Sequence, residues 1–312
     1  MTFEIPVPAQ AVLAHEPDPI SIGRTARELL DATPEEPDWL VPGLLAPGTV
    51  TELNAREKAG KGWFINYLIG ALERGQQTVF GESRGAKSLI FTEESYQPLR
   101  EKFEKFRVYD AYVVFHWEMG QRQWPETVRW LTEFMVTNEH ELLFIDNISA
   151  ATRTQDEGGV ELARKVEPLV MAAKEHEFAV LFDRHQRKAG GKIEDLSRGT
   201  TSLAGAIDAI VTMEKDEGRV RKLTCRGRLF AHNWVKHVEL MSDHTGYAEI
   251  VGDSKTQKLF ERSEWSVVEF ATEIGRGLDT ARDWLNECPY VEKRGAGKST
   301  KYVVVAEPAD LS

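Results

Sequence analysis

Between residues 39 and 250, short apolar runs alternate with amphipathic stretches long enough to be helices, and this alternation restricts the fold more than any other feature. Residues 50–53, 88–92, 111–117, 141–146 and 178–183 read as strands. Residues 63–74, 97–106, 125–138 and 160–174 read as helices. In the first helix Phe64, Leu68, Ala71 and Leu72 share one face, and Gly75 stops it. Strands alternating with helices of about 10 to 15 residues build βαβ units around a largely parallel sheet. Three more strand candidates, 209–214, 221–225 and 235–240, have no long helices between them and read as an antiparallel extension. The expected class is therefore α/β, a mostly parallel twisted sheet flanked by helices.

The flanks differ from this region. Residues 1–38 hold six of the 13 prolines and read as an extended arm with one short helix over 23–32. Residues 251–262 are polar and read as a linker. Beyond them Val267, Phe270, Ala271 and Ile274 fall at helical spacing and end at Gly275. Ala281, Trp284, Leu285 and Cys288 do the same, with Asp279 as the expected N-cap. Two strands, 290–293 and 301–305, then flank a Gly-rich turn. Helix, helix and hairpin make a winged-helix pattern. The expected organisation is an arm (1–38), an α/β domain (39–250), a linker (251–262) and a winged-helix domain (263–312). A length of 312 residues suits about two domains.

Composition excludes several classes. No run of 18 apolar residues exists, so a spanning helix is not expected. The opening MTFEIPVPAQ lacks the basic and apolar regions of a secretory signal. The two cysteines, Cys225 and Cys288, form neither a disulfide framework nor a zinc spacing, and a reducing cytoplasm is the expected compartment. A net charge of −11 argues against a whole surface that binds nucleic acid and leaves room for a local basic loop.

The chemistry gathers after the first strand, where Ala55 to Gly62 read Ala-Arg-Glu-Lys-Ala-Gly-Lys-Gly and lead into a helix. The phosphate-binding template is G-x-x-x-x-G-K-[ST] between a strand and a helix. Gly60 and Lys61 match; Ala55 replaces the first glycine, and Gly62 replaces the hydroxyl residue that would bind Mg²⁺ directly. A Gly-containing turn at a helix N-terminus aims backbone N–H groups at an anion. Arg56, Glu57, Lys58, Ala59, Gly60, Lys61, Gly62 and Trp63 are the expected cradle, with Lys61 reaching the phosphates. The alternative is a surface loop with a solvated lysine. A second match, Gly295 to Thr300, is rejected: residues 301–305 that follow are strand-like, so no helix opens there.

Three further strands end in polar groups. The strand ending at Asp146 could orient Mg²⁺ through water; otherwise Asp146 is a helix cap. The strand before Glu93 and Glu94 could supply a carboxylate to polarise an attacking water; otherwise these are solvated loop acids. The strand ending in Asp183 leads to Arg184, His185, Gln186, Arg187 and Lys188, and could sense a γ-phosphate.

In this order the residues resemble a family. Trp39 to Leu45, the phosphate loop, Glu94, the Asp146 strand, His185 to Lys188 and the run Arg198-Gly199-Thr200-Thr201-Ser202-Leu203-Ala204-Gly205-Ala206-Ile207-Asp208 look like RecA-type P-loop ATPases of the RepA-like hexameric replicative helicase group of phages and plasmids. The likeness spans about residues 39–250, about two-thirds of the chain, and its most specific part is the run from Arg198. It implies ATP and Mg²⁺ as cofactors, Lys61 as phosphate ligand, Glu94 as catalytic carboxylate, Asp146 as Walker B acid and His185 as sensor. Asp146 and Glu94 would stand beside the metal. It also implies a homo-oligomeric ring, hexameric as in that group, with ATP between subunits and an arginine from the neighbour. Arg226 and Arg228 are the candidates, or else a charged pair on a solvated face.

In such rings a loop corresponding to 187–198 lines the channel, so Arg187, Lys188, Lys192 and Arg198 would meet the phosphates of single-stranded DNA, joined by Arg153 and Gln155. In the terminal module the second helix carries Asp279, Asp283 and Glu287 against Arg282, whereas the wing holds Lys293, Arg294, Lys298 and Lys301. Contact through the wing, or docking of a replication or recombination partner, fits better than groove reading by that helix. Three readings follow: a nucleic-acid motor driven by ATP hydrolysis; a DNA-binding or helicase-loading protein that binds nucleotide with little turnover; and a metal-dependent nuclease using Glu93, Glu94, Asp146 and His185.

Overall fold

The computed structural model describes residues 23–154, 160–185, 201–216, 218–250, 254–288, 290–295, 297 and 300–305. The chain divides into two compact units. The first runs to Met213 and takes in Cys225–Trp234; the second comprises Glu214–Thr224 and Val235–Ser312. This boundary lies earlier than the sequence places it, because the hairpin at 234–250 clusters largely with the C-terminal residues.

The first unit opens with α1 (Ala26–Ala32), held by a reciprocal Thr25–Glu28 capping box. Strand β1 (Val50–Ala55) follows, then α2 (Lys61–Glu73) and a small hairpin, β2 (Gln77–Thr78) and β3 (Gly81–Glu82). Next come β4 (Ser88–Thr92), α3 (Tyr96–Phe106), β5 (Tyr112–Phe115), α4 (Trp124–Thr137) and β6 (Leu142–Asp146). The chain continues through α5 (Ile148–Thr152), α6 (Val160–His176), β7 (Ala179–His185) and α7 (Thr201–Ala206) to β8 (Ala209–Lys215) and β9 (Val220–Gly227), of which residues 214–215 and 220–224 belong to the second unit. Six strands lie in the order β8-β1-β7-β6-β4-β5, and every pairing among them is parallel. This is the expected mostly parallel sheet flanked by helices.

Side chains alternate across a strand, and one face of the sheet gathers Val50, Leu89, Phe91, Leu143, Ile145, Val180 and Phe182 in a core with α4, α6 and α7. The run from Thr201 to Asp208 earns its place by packing: Leu203 and Ile207 enter this core, and the Asp208 carboxylate accepts from Val50 N–H at 3.0 Å. Asp208 thereby fixes the start of β1 beside β8.

Helix α2 departs from the single apolar face read from sequence: every residue from Phe64 to Leu72 is buried. The reason is α3 on its outer side, where Trp63 and Tyr67 meet Phe106 edge-on. Gly70 permits that approach, since a Cβ there would stand 2.2 Å from the Phe106 carbonyl oxygen. Gly70→Ala should gain about 1 kcal/mol of helix propensity and lose about 1–3 kcal/mol to overpacking against backbone. The expected result is a lower urea midpoint; a higher one would show that α3 moves aside freely.

In the second unit β10 (Trp234–Leu240) and β11 (Tyr247–Ile250) pair antiparallel. The segment read as a linker contains α8 (Ser254–Phe260), whose Leu259 is fully buried. Its polar composition hides this single core contact. Then come β12 (Glu264–Trp265), α9 (Val267–Glu273), α10 (Leu278–Glu287), β13 (Val291–Arg294) and β14 (Lys301–Val304). The last three strands form an antiparallel sheet in the order β12-β14-β13. Leu259, Trp265, Phe270, Leu285 and Tyr302 share its core, and Trp265 Nε1–H donates to the Leu259 carbonyl at 2.8 Å. The N-cap of α10 is Gly277, not Asp279, which lies inside the helix and pairs with Arg282 at 2.7 Å. Ser266 caps α9 instead, in a box with Glu269. Among the described residues no helix is long and apolar enough to cross a membrane.

Candidate functional site

In open α/β sheets ligands bind beyond the C-terminal ends of the strands. At that edge a cavity of about 580 Å³ is lined by the phosphate loop from Lys58 to Trp63 and by Glu93, Glu94, Lys102, Asp146, Asp183 and His185. A larger cleft, about 1070 Å³, lies at the opposite strand ends among Lys87, His140, Glu141 and Phe178, away from this chemistry.

The parallel register assembles the site. Leu53 lies beside Asp183, Ala55 beside His185, and Thr92 beside Asp146. The chain leaves β1, turns through Lys58 at φ 61° and Gly60 at φ 104°, and enters α2. Glycine takes that left-handed conformation without a steric cost. Lys61 then folds back toward the strand ends. Its Nζ lies 3.0 Å from His185 Nδ1, 3.7 Å from Asp183 Oδ2 and 3.4 Å from the Ala55 carbonyl oxygen. Lys61 is only 5% exposed, so it is not the solvated loop lysine of the alternative reading. Burial lowers its pKa, opposed by the charges of Asp183 and Asp146.

The acids occupy distinct niches. Asp183 is buried, which together with the nearby Asp146 charge raises its pKa well above the usual carboxylate range. Its Oδ1 has no hydrogen-bond partner among the described residues. Asp146 Oδ2 accepts from the Thr92 hydroxyl at 2.8 Å. The helix cap at this strand end is Asn147, whose Oδ1 accepts from Ala150 N–H, so Asp146 is left for the cavity. Glu93 accepts from Asn147 Nδ2 at 2.6 Å, and burial with the Asp146 charge raises its pKa. Glu94 is held differently: both carboxylate oxygens accept from Lys102 Nζ of α3.

These residues suit a polyphosphate. The loop narrows to glycines at 60 and 62, the first turn of a helix presents backbone N–H groups, and the ammonium groups of Lys61 and Lys102 face the same space. Carboxylates beside them, Asp146 above all, would hold a hydrated magnesium ion, which would supply positive charge beside the phosphates.

Not every expected residue reaches the cavity. Arg56 and Glu57 are outside its lining, whereas Lys58 to Trp63 form it. Arg226 and Arg228 are also outside it. Arg228 bonds to the Gly205 carbonyl and pairs with Asp208 at 3.4 Å, and Arg226 bonds to the Cys225 carbonyl. Arg187, Lys188, Lys192, Arg198, Gln155 and Lys298 lie outside the described residues. Arg153 donates to the Gly120 carbonyl at 3.1 Å. Lys293 and Arg294 are exposed on β13, with Arg294 paired to Glu292 at 2.8 Å. Sequence reasoning passed over Lys102, which has no motif and enters the site only because α3 packs on α2.

A parallel α/β domain with a lysine-bearing loop and acidic strand ends at one edge defines a nucleotide-type phosphate site. The profile of the family described as AAA domain matches residues 16–191, more than half of the chain. The chain belongs to that family. No curated protein matches it. Among solved structures, the crystal structure of the RadB recombinase is similar at 15% identity and a TM-score of 0.48, covering 66% of this chain and 93% of that one.

Proposed function

We propose that this protein is an ATP-hydrolysing motor on nucleic acid, helicase-like and working as a homo-oligomeric ring, in which single-stranded DNA stimulates turnover. The observation that carries the reading is the buried Lys61 ammonium at the strand ends, with His185 at 3.0 Å and Asp183 at 3.7 Å, in a cavity shared with Asp146 and Glu94. When bound, Mg²⁺ would neutralise charge on the β and γ phosphates. Lys61 would hold the phosphates, Asp146 would orient the metal's water shell, and Glu94 would accept a proton from the attacking water. His185, already against Lys61, would report the γ-phosphate from β7. Arg226 and Arg228 are exposed, or nearly so, on their own unit, which suits a role at a neighbouring subunit's site. The basic residues from Arg187 to Arg198 and the wing residues Lys293, Arg294 and Lys298 are the proposed DNA contacts.

The nucleotide-binding loader with little turnover is the second reading, favoured by one observation: both carboxylate oxygens of Glu94 are taken up by Lys102. The nuclease reading is weakened by the same lysines. Lys61 sits against Asp183 and His185, and Lys102 against Glu94, so ammonium groups stand among the carboxylates where paired metals would have to lie.

The two leading readings separate on Glu94→Gln. For a motor, this change should lower phosphate release by about 100-fold or more, the usual contribution of a positioned base, with ATP still bound. Glu93→Gln, assayed beside it, should retain more activity. A wild type that binds ATP but releases no phosphate with or without single-stranded DNA would favour the loader.

A further inference from the structure

The missing hydroxyl at position 62 leaves a space, and the structure shows what fills it. A Cβ built on Gly62 would lie 2.9 Å from Lys102 Nζ and 3.4 Å from its Cε. The ammonium of Lys102 thus stands 2.9 Å from the point where a serine or threonine side chain of the phosphate-loop template would begin, in the space its hydroxyl, which normally binds Mg²⁺, would enter. Lys102 comes from α3, its side chain is only 11% exposed, and its partner is the carboxylate of Glu94. One cation therefore touches both the phosphate loop and the candidate catalytic acid.

We propose that Lys102 is a phosphate ligand that replaces the hydroxyl-held metal contact, and that it exchanges partners: Glu94 holds it in the free protein, and nucleotide phosphate draws it away and releases Glu94. The proposal rests on the nucleotide reading of the site. No bond is made or broken; an ammonium moves from a carboxylate to a phosphate oxygen. The exchange is favourable because the phosphate chain carries more charge than one carboxylate and lies against the helix N-terminus. It gives Gly62 a reason: a side chain there would force the end of Lys102 to shift from its place against the loop. It also couples the two ends of the site, since the carboxylate would become available to water only while phosphate is bound.

The test is binding, read from the fluorescence of a methylanthraniloyl-labelled ATP, with Mg²⁺ or with EDTA. Wild type is expected to keep most of its affinity in EDTA. Lys102→Met should weaken binding there by about tenfold, the worth of a charge-assisted contact, and Lys102→Arg should restore most of it. Gly62→Ser should weaken EDTA binding similarly by displacing Lys102. Glu94→Gln should tighten binding in the wild-type background and not in Lys102→Met, because its effect passes through Lys102. Glu94→Gln tightening both backgrounds equally would mean simple removal of negative charge and would overturn the exchange. Lys102→Met binding within about twofold of wild type in EDTA, with an unchanged melting temperature, would overturn the ligand role, since a charged contact costs more than that to lose. No binding by wild type under either condition would instead remove the nucleotide reading itself.

Discussion

Lys61→Ala should lower phosphate release from ATP by about 100-fold or more, the loss seen when one preorganised charge-stabilising group is removed from an active site. The side chain is buried, so its interaction with a phosphate is little screened by water. Its three neighbours, the Ala55 carbonyl, Asp183 and His185, come from the two adjacent strands β1 and β7. That seating fixes the ammonium before any ligand arrives, so little ordering remains to be done on binding. Truncation also removes the cation that offsets the buried Asp183, leaving its carboxylate and that of the half-buried Asp146 facing each other. Nucleotide affinity should fall with turnover for that reason. Lys61→Met keeps the volume and separates loss of charge from collapse of the pocket. The measurement is phosphate release with Mg²⁺, with and without single-stranded DNA, alongside thermal unfolding of each variant. A folded Lys61→Met that hydrolyses ATP within a few-fold of wild type would place the chemistry elsewhere.

The parts of this site that are legible in the sequence are those carried by one strand and its end. Leu142 to Asp146 is an apolar run closed by an acid, and in a parallel sheet such ends converge on one edge. The same holds for Glu93 and Glu94 after β4, and for Asp183 to His185 on β7. The degenerate loop is legible by context, since Gly60 and Lys61 stand between a strand and a helix even though Ala55 and Gly62 miss the template. What stays hidden depends on packing between elements distant in the chain. Lys102 is eight residues past Glu94 on an exposed-looking helix, and nothing in its spacing says that α3 lies over Gly62. The division of labour between Glu93 and Glu94 is hidden too, because neighbouring residues on a loop differ only in which partner, Asn147 or Lys102, lies within reach. The polar segment before the terminal module hides helix α8 for a related reason: a single buried leucine, Leu259, gives no periodic signal.

The second large effect concerns stability. Glu52 on β1 is fully buried, and its Oε1 accepts from Arg184 of β7 at 2.7 Å through both Nε and a terminal nitrogen. Arg184 is itself only 5% exposed. Burial raises the Glu52 pKa, and the Arg184 charge opposes that rise. The pair ties together the two strands that carry the phosphate loop and the Asp183–His185 end, so it sets the distance that Lys61 spans. Breaking a buried ion pair from one side costs about 3–5 kcal/mol, because the remaining charge loses its compensation in a medium that solvates it poorly. Glu52→Ala should therefore lower stability by about that amount in urea unfolding followed by circular dichroism, among the largest effects of any single change in the sheet. Replacing both partners, Glu52→Met with Arg184→Met, removes both desolvation penalties and should recover most of the loss. If the pair serves strand spacing as well as charge balance, the double variant will fold stably yet bind ATP less tightly than wild type, since Lys61 would no longer be seated by a fixed β1–β7 register. A double variant as unstable as Glu52→Ala would mean that the site needs the polar groups themselves, and would point to a hydrogen-bonding role for Arg184 beyond its carboxylate.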